Sequence, residues 1–209
     1  IIVHLMKHYI ISGFKEFFLA TGYKSKEFKK YFKNYKKDGK SFEATIFNKK
    51  CKVTILDTGI KTLTGGRLKK AVKYLKTQED FMFTYGDGLS NVNLNKLLKF
   101  HKRHGKKITV TAVRPPARFG ELKLKNNQVN SFKEKPQVGT GWINGGFFVA
   151  KQNFISLIKG NKTILEKSPL EKAARQKELY AFKHHGFWKC MDTKRDKDVL
   201  EKILKDKKN

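Results

Sequence analysis

Short apolar strands alternate with amphipathic helices along this chain, and this order restricts the available folds more than any other feature. Residues 52–56 (KVTIL), 81–85 (FMFTY) and 108–113 (ITVTAV) have the β-branched and aromatic content of buried strands. Residues 65–76 and 94–103 lie between them and have apolar positions at helical spacing. Such alternation is typical of α/β proteins, so we predict a sheet of mainly parallel strands flanked by helices.

The remaining segments predict a hairpin, further strands and further helices. We predict helices at 2–11, 25–35, 153–158, 169–177 and 194–207, and strands at 14–20, 119–124, 129–134, 142–150 and 179–188. A turn containing Asn126 and Asn127 separates two of these strands and indicates a hairpin, which makes the sheet mixed. No repeat or low-complexity linker divides the chain, so we predict a single domain over residues 1–209.

The composition is strongly basic, with 47 Lys and Arg, 18 Asp and Glu, and a formal charge of +29. Such a charge suggests binding to a polyanion such as nucleic acid. However, 6 of the basic residues are Arg, the usual residue for paired hydrogen bonds to phosphates and bases, and residues 77–95 and 136–150 contain neither Lys nor Arg. We therefore expect Lys to coat solvated surfaces and these two windows to hold the site. A basic nucleic-acid-binding protein is the alternative from another class.

The low cysteine content and the lack of long apolar runs indicate the cellular compartment of the protein. Cys51 and Cys190 are too few for a disulfide framework and are typical of thiols in a reducing environment. No apolar run approaches the roughly 20 residues that span a bilayer, and the N-terminal run lacks the basic region and cleavage site of a signal peptide. We therefore predict a cytoplasmic protein without membrane contact.

Two aspartates that follow apolar strands are candidate metal ligands. Asp87 comes directly after residues 81–85, between Gly86 and Gly88, and Asp192 follows the strand predicted at 179–188. Ligands of open α/β sheets bind beyond the carboxyl ends of strands, and Mg²⁺ is commonly held by one or two carboxylates together with substrate phosphates. Each residue also has an alternative role, Asp87 within a turn and Asp192 as the N-cap of the last helix.

Residues 62–67 (TLTGGR) form a glycine turn leading into a helix, whose N-terminal N–H groups favour anions. Arg67 falls in the first helical turn, where a cation is electrostatically misplaced unless it has an anionic partner. This placement favours contact with a ligand phosphate or base. The alternative is a Thr-capped helix with a solvated Arg.

Two further segments contain candidate binding residues. Lys135 ends the strand in FKEKP and could hold a phosphate as a point charge, although a solvated Lys is the simpler explanation in a chain so rich in Lys. Asn144, Gly145 and Gly146 lie in WINGGFF. Glycines within a strand often mark the close approach of a ligand or of another backbone.

Taken in order, several segments resemble the sugar-nucleotide pyrophosphorylases, and within them the glucose-1-phosphate cytidylyltransferases. They span essentially the whole chain and read LDTGIKTLTGGRLKKA, FTYGDGLSNV, HKRHGKKITVTAVRPPARFGEL, SFKEKP, WINGGFF and GFWKCMDTKRD. EKP and a strand-end GDG are shared across the wider superfamily, whereas TLTGGR, RFGEL, WINGGFF and GFWKCMDT are more specific. The resemblance implies a Rossmann-like fold of the nucleotide-diphospho-sugar transferase type. It also implies synthesis of CDP-glucose and pyrophosphate from CTP and glucose 1-phosphate, with UTP or dTTP as alternative nucleotides.

The resemblance further implies roles for individual residues and a bound Mg²⁺. The implied metal ligands are Asp87 and Asp192. The implied substrate contacts are Thr62, Arg67 and Gly86 for the nucleotide, Lys135 for the sugar phosphate, and Asn144, Gly145, Gly146 and Glu166 for the sugar. Within this set, Asp87, Arg67 and Lys135 are implied to carry the catalysis.

In one respect the chain departs from the family that it resembles. That family begins with a strand and a glycine-rich loop of the type GGxGTRL, which wraps the triphosphate, and Ile1 aligns just after them. We therefore expect these 209 residues to lack the first strand and the main triphosphate contacts, and to be inactive or nearly so by themselves. The resemblance also implies a homo-oligomer.

Overall fold

A computed structural model describes the chain at residues 1–32, 36–38, 41–75, 80–114, 121–133 and 141–206. The helices are α1 (Ile2–Ile11), α2 (Ser25–Phe32), α3 (Thr64–Val72), α4 (Leu94–His104), α5 (Ser168–Arg175) and α6 (Lys194–Asp206), with a 3₁₀ helix at Gln152–Leu157. The strands are β1 (Glu16–Thr21), β2 (Lys36–Asp38), β3 (Ser41–Ile46), β4 (Lys49–Asp57), β5 (Phe81–Phe83), β6 (Gly88–Ser90), β7 (Ile108–Val113), β8 (Glu121–Lys125), β9 (Gln128–Lys133), β10 (Ile143–Asn144), β11 (Phe148–Ala150), β12 (Leu179–His184) and β13 (Trp188–Cys190). Within these ranges, no helix is long and apolar enough to cross a membrane.

Two mixed sheets form the centre of the fold. The first has the strand order β1-β4-β3-β2, and the second has the order β10-β7-β11-β5 with β12 added on β7. The predicted α/β class with a mixed sheet is confirmed. Parallel pairing joins β1 to β4 and β12 to β7, while the other pairs of described strands are antiparallel. The parallel share is therefore smaller than predicted. The reasons are that β11 runs antiparallel between β5 and β7 and that β3 and β4 form a hairpin through Phe47 and Asn48, whose positive φ angles suit a hairpin turn.

Two segments that the sequence predicts as continuous strands are each divided. Residues 142–150 become β10 and β11, because Gly146 and Phe147 between them take left-handed backbone conformations with φ of 72° and 49°. Residues 179–188 become β12 and the start of β13, with Gly186 between them, and β13 leaves the large sheet to pair with β6. The predicted hairpin is confirmed as the separate pair β8 and β9. The departure of β13 matters most, because it carries the chain toward Asp87.

Helices cover both faces of the larger sheet, as its alternating side chains require. On β11, Phe148 belongs to an apolar cluster with residues of α3 and α5, whereas its neighbour Val149 belongs to a cluster with residues of α1, α4 and α6. A third cluster packs α1 and α2 against β3 and β4. Because α1 contributes to two of these clusters, it connects the two sheets.

The edges of the two sheets face a common space. Among the described residues, β1 and β5 each pair with a strand on one side only, so each ends its sheet. Both edges line one cavity of about 780 Å³, which α1 and α3 also border. Its lining is largely apolar, with Leu5, Phe17, Leu68 and Met82, and it extends to Asp87. We call this space the inter-sheet cleft.

Candidate active site

The two candidate metal ligands are brought together by the pairing of β6 with β13. In this antiparallel pair Cys190 lies opposite Gly88, and the backbone N–H of Met191 donates to the carbonyl of Asp87 over 2.9 Å. Asp87 precedes β6 and Asp192 follows β13, so the same pairing holds both residues at one end of the two strands. The convergence that the sequence left open is therefore present.

A group of three potential ligands results. One side-chain ligand atom each from Asp87, Cys190 and Asp192 lies within 4.8 Å of the other two. Both carboxylates are exposed, and the thiol is partly buried. Carboxylate oxygens are ligands that Mg²⁺ prefers, so Asp87 and Asp192 fit a magnesium ion by the chemistry of their donors.

The residue after Asp192 takes the capping role that was the alternative for Asp192. Thr193 Oγ1 accepts from the backbone N–H of Asp196 over 3.2 Å, and the Asp196 carboxylate accepts from the backbone N–H of Thr193 over 3.1 Å. This reciprocal pair is a capping box at the start of α6. Lys189 on β13 donates to Asp196 over 2.8 Å, and this bond, with those from Thr193, holds the pKa of Asp196 below its ordinary value. Thr193 is therefore the N-cap, and α6 is tied to β13.

Cys190 contacts one of the candidate metal ligands directly. Its Sγ donates to Oδ1 of Asp192 over 3.1 Å. Burial, and after it this hydrogen bond, raises the pKa of the Cys190 thiol to about 12. At neutral pH the side chain is therefore a thiol that donates to Asp192.

Tyr85 connects two residues that the resemblance implies for sugar binding, Glu166 and Asn144. Its hydroxyl donates to Glu166 Oε1 over 2.6 Å and accepts from Asn144 Nδ2 over 3.1 Å. Thr64 Oγ1 donates to the other carboxylate oxygen, Glu166 Oε2, over 2.7 Å. Burial, followed by the bond to Glu166, raises the pKa of Tyr85 above its ordinary value, and the charge of Asp87 adds to the effect. Glu166 and Asn144 are thus both hydrogen-bonded to Tyr85, which lies two residues before Asp87 in the sequence.

Gly145 and Gly146 are buried, and protein atoms occupy the space in front of each. A Cβ on Gly145 would lie 2.7 Å from Cγ1 of Val113, and one on Gly146 would lie 3.2 Å from the ring of Tyr85. The carbonyl of Gly145 also accepts from Nε1 of Trp188 over 2.7 Å. The close approach that these glycines permit is therefore to neighbouring residues, and it links the Asn144 segment to β13.

The N-terminus of α3 differs from the predicted anion site. The N–H of Leu63 donates to the carbonyl of Asn161 over 2.9 Å, and the N–H of Gly65 donates to the carbonyl of Thr163 over 3.0 Å. These N–H groups are therefore paired within the chain, because the segment at 161–163 packs against the turn and accepts from them. Contact of this turn with an anion stays a prediction. The glycines of TLTGGR serve this packing, since a Cβ on Gly66 would lie 2.5 Å from the carbonyl oxygen of Asn161.

Arg67 and Thr62 have hydrogen-bond partners within the chain. Arg67 Nη1 donates to the carbonyl of Thr21 over 2.7 Å and to Oγ1 of Thr58 over 2.6 Å. Thr62 is buried, and its hydroxyl donates to the carbonyl of Thr58 over 2.6 Å. These oxygens supply the negative partner that the position of Arg67 requires. Arg67 also lines the inter-sheet cleft, and its contact with a nucleotide stays a prediction, as does that of Thr62.

Comparisons with known proteins show the family of this chain. The profile of the nucleotidyl transferase family matches residues 1–207. The chain belongs to the nucleotidyl transferase family. It is 44% identical over 211 residues to the glucose-1-phosphate cytidylyltransferases of Salmonella typhimurium and Salmonella typhi, a match that covers 96% of this chain and 82% of each relative. The resemblance found in the sequence motifs is confirmed.

Solved structures place this nucleotidyl transferase among folds of the nucleotide-diphospho-sugar transferase type. The structure of HddC from Yersinia pseudotuberculosis has a TM-score of 0.69 and 21% identity, covering 96% of this chain and 84% of that chain. The structure of an apo UDP-glucose pyrophosphorylase has a TM-score of 0.69 and 12% identity, covering 100% of this chain and 87% of that chain. At these identities the likeness shows the fold, and it confirms the Rossmann-like fold that the resemblance implied.

Gly86 and Lys135 are two further residues of this nucleotidyl transferase that were predicted to contact the substrates. Gly86 is exposed, and a Cβ there would meet nothing within 4 Å. The backbone beside Asp87 is therefore open to a ligand. Lys135 lies outside the described residues, so its assignment to a sugar phosphate stays a prediction.

The site also contains three residues that sequence reasoning missed. Cys190 lies two residues before Asp192, a spacing that places two side chains of an extended segment on one face, and that signal was available. Tyr85 and Trp188 carried no comparable signal. Their partners, such as Glu166, are distant in the sequence and are brought close by the fold.

Proposed function

We propose that this chain is the catalytic part of a glucose-1-phosphate cytidylyltransferase, which makes CDP-glucose and pyrophosphate from CTP and glucose 1-phosphate. The observation that carries the proposal is the convergence of Asp87 and Asp192, in a chain 44% identical to relatives of that name. A phosphate oxygen of the sugar phosphate attacks the α-phosphorus of CTP in line, and the bond to pyrophosphate breaks. The attacking phosphate is already ionised at neutral pH, so positioning and charge neutralisation account for the catalysis without a general base.

The metal assigned to this reaction is Mg²⁺, held by Asp87 and Asp192. When bound, Mg²⁺ neutralises charge on the phosphates. The two carboxylates fix the position of that charge, because the pairing of β6 with β13 holds both segments. Gly86 leaves the adjacent backbone accessible to a phosphate group.

The sugar is proposed to lie against Glu166 and Asn144. Both side chains are exposed, and both are oriented by the hydroxyl of Tyr85. A carboxylate accepts from sugar hydroxyls, whereas an amide both donates and accepts, so the pair can hydrogen-bond to a polyol. Gly145 and Gly146 shape the backbone behind Asn144, and Lys135 is proposed to hold the sugar phosphate.

The nucleotide is proposed to lie at the end of the inter-sheet cleft, near Arg67, Thr62 and Gly86.

We propose further that the active molecule carries an additional strand in this cleft, between β1 and β5. Two strand edges with unpaired backbone groups support this assignment, as does the extension of the cleft to Asp87, where residues following such a strand would meet a triphosphate. The strand and its glycine-rich loop would come from outside these 209 residues, which alone are then expected to turn over little. A homo-oligomer and a cytoplasmic location stay predictions.

Assays of product formation test the proposal. The 209-residue chain is compared with a fusion that places a strand and a glycine-rich loop of the type GGxGTRL, which the sequence resemblance implies, ahead of Ile1. Each is incubated with glucose 1-phosphate, Mg²⁺ and CTP, UTP or dTTP, and CDP-glucose and pyrophosphate are quantified. We expect CTP-dependent turnover by the fusion and turnover roughly 100-fold or more slower by the chain alone. A folded fusion that uses no nucleotide overturns the enzymatic proposal, and a preference for UTP or dTTP overturns the choice of CTP.

A further inference from the structure

Cys190 has no part in the proposed reaction, yet its sulfur lies beside the two carboxylates assigned to Mg²⁺. Magnesium takes oxygen ligands, whereas thiolate sulfur selects softer ions such as Zn²⁺. We propose that Asp87, Cys190 and Asp192 form a three-ligand site for a thiophilic divalent cation of the Zn²⁺ and Cd²⁺ class, which competes with Mg²⁺ for the same carboxylates. The proposal concerns which metal this site binds. Its consequence for catalysis rests on the proposed function.

The geometry of the three donors suits a four-coordinate ion. In zinc sites Zn–S is about 2.3 Å and Zn–O about 2.0–2.2 Å, so neighbouring ligands of a tetrahedral ion lie about 3.5 Å apart. Cys190 Sγ and Asp192 Oδ1 are already 3.1 Å apart, and the ligand atom of Asp87 lies within 4.8 Å of both. The Asp87 side chain is exposed, so rotation about its own bonds can close the remaining distance.

The backbone holds these donors in register without a metal. Cys190 is fixed opposite Gly88 by the pairing of β13 with β6, and the bond from Met191 N–H to the Asp87 carbonyl fixes the loop that carries Asp87. Cys190 and Asp192 project to the same side, since their side chains are joined by a hydrogen bond. A site that is largely preorganised loses little conformational entropy on binding.

Binding exchanges a proton for the cation. The S–H bond of Cys190 breaks, its hydrogen bond to Asp192 is lost, and one proton passes to water while the thiolate and the two carboxylates bind the ion. Three protein ligands leave the fourth position of a tetrahedral ion for water or a phosphate oxygen. A soft ion then occupies carboxylates that the proposed reaction needs for Mg²⁺. Zn²⁺ or Cd²⁺ is therefore expected to inhibit Mg²⁺-dependent turnover.

Cadmium titration of the 209-residue chain tests the site without any turnover, because a thiolate bound to Cd²⁺ gives an ultraviolet charge-transfer band. We expect a band that saturates at equimolar Cd²⁺ in the parent chain and in Cys51→Ala, which removes the other, buried thiol. Cys190→Ala is expected to lack the band. Asp87→Asn and Asp192→Asn retain the thiol and are expected to weaken Cd²⁺ binding about 10-fold or more. Excess Mg²⁺ is expected to shift the titration to higher Cd²⁺ concentration.

Each contrary result has a distinct meaning. No band in the parent chain, or a band that persists in Cys190→Ala, overturns the site. Equal Cd²⁺ affinity in the parent chain and both Asp variants reduces the site to an isolated thiol and overturns the three-ligand assignment. Circular dichroism checks folding, and Cys51→Ser replaces Cys51→Ala if the latter unfolds. Because absorbance reports binding alone, loss of the CTP reaction leaves the cadmium result standing, and loss of the cadmium band leaves the reaction standing.

Discussion

Asp87 is one of the two carboxylates proposed to hold Mg²⁺, so the proposed charge neutralisation depends on its charge. Asp87→Asn preserves its shape and removes its charge. In the fusion with a first strand and loop, we expect Mg²⁺-dependent synthesis of CDP-glucose to fall roughly 100-fold or more. The free energy of unfolding should change by less than about 0.5 kcal/mol, because the residue is exposed. Steady-state kinetics and urea denaturation measure the two effects.

Asp198→Asn is the matched control for that substitution. Asp198 is an exposed carboxylate on α6 that is absent from the ligand group. Its replacement is expected to leave turnover and unfolding unchanged. Near-normal activity of Asp87→Asn with Mg²⁺ would remove the metal assignment, whereas equal losses in both variants would indicate a general effect of charge.

Tyr85→Phe tests whether the tyrosine positions the two side chains proposed to contact the sugar. The substitution removes the hydroxyl that donates to Glu166 and accepts from Asn144. A hydrogen bond to a charged group contributes about 1.5–3 kcal/mol, and each 1.4 kcal/mol is about a factor of ten in affinity. We therefore expect the KM for glucose 1-phosphate to rise about 10-fold in the fusion, with a smaller change in the KM for CTP.

The control for Tyr85 is the exposed Tyr74, which follows α3. Tyr74→Phe is expected to leave both KM values unchanged. Glu166→Gln is made alone and together with Tyr85→Phe, which completes a double-mutant cycle. Additive effects of Tyr85→Phe and Glu166→Gln would contradict the positioning role, because residues that act through one hydrogen bond are coupled.

At the level of single residues, the sequence predicted candidates better than it predicted their neighbours. Asp87 and Asp192 were recognisable because carboxylates after strands mark a ligand-binding edge. Asp87, Tyr85 and Asn144 also lie in the windows without Lys and Arg, which supports the expectation that those windows hold the site. Their mutual contacts could not be predicted, since they depend on three-residue strands and on hydrogen bonds between distant segments.

Helices and strands with a strong local sequence pattern were predicted, whereas strands with a weak pattern or a distant partner were missed. The helix at 2–11 and the strand at 108–113 have the same bounds as α1 and β7, because apolar periodicity and β-branched runs are local properties. β3 was missed because its buried positions are Ser41, Ala44 and Ile46, a weak apolar pattern. β6 was missed because Gly and Ser have low strand propensity and its partner β13 lies far along the chain.

Helix α3 provides a test in which packing should override intrinsic propensity. Replacing Gly by Ala within a helix normally stabilises it by about 1 kcal/mol. At Gly66, however, the added Cβ would lie 2.5 Å from the carbonyl oxygen of Asn161. We therefore expect Gly66→Ala to lower the free energy of unfolding by about 1–3 kcal/mol, measured by urea denaturation. Gly160→Ala, where a Cβ would meet nothing within 4 Å, should be nearly neutral, and a stabilised Gly66→Ala would contradict the packing.

The start of α6 should contribute a pH-dependent term to stability. Hydrogen bonds from Lys189 and Thr193 hold the pKa of Asp196 below its ordinary value of 3.8. The stabilisation by Asp196 is therefore present above that value and is lost as the pH falls toward the lower pKa of the folded state. We expect Asp196→Asn to be less stable than the parent chain at neutral pH, and this difference to shrink between about pH 5 and about pH 2. Asp198→Asn on the same helix should show no such convergence, and a pH-independent difference for Asp196→Asn would contradict the ion pair.

At the scale of the whole molecule, the two sheets share helices but do not share a strand. α1 packs against both, and α3 closes the opposite side of the inter-sheet cleft. The α/β class could be predicted from the order of elements along the chain. The separation into two sheets could not, because it depends on which strand edges meet in space. The additional strand that we propose for the cleft would join the two sheets if it paired with both edges.

Hydrogen exchange can test whether the cleft is open in the 209-residue chain. Alternate amides of β1 and β5 face the cleft and lack a strand partner there, so they should exchange faster than amides of the central strand β4. A dye that fluoresces in apolar sites should also bind, since the cleft is lined by side chains such as Phe17 and Met82. In the fusion with a first strand, we expect both edges to become protected and dye binding to be lost. A matched fusion with Pro in the middle of that strand lacks a backbone donor and should restore both signals. Slow exchange at β1 and β5 in the chain alone, together with no dye binding, would mean that the cleft is closed in solution and would remove the proposed additional strand.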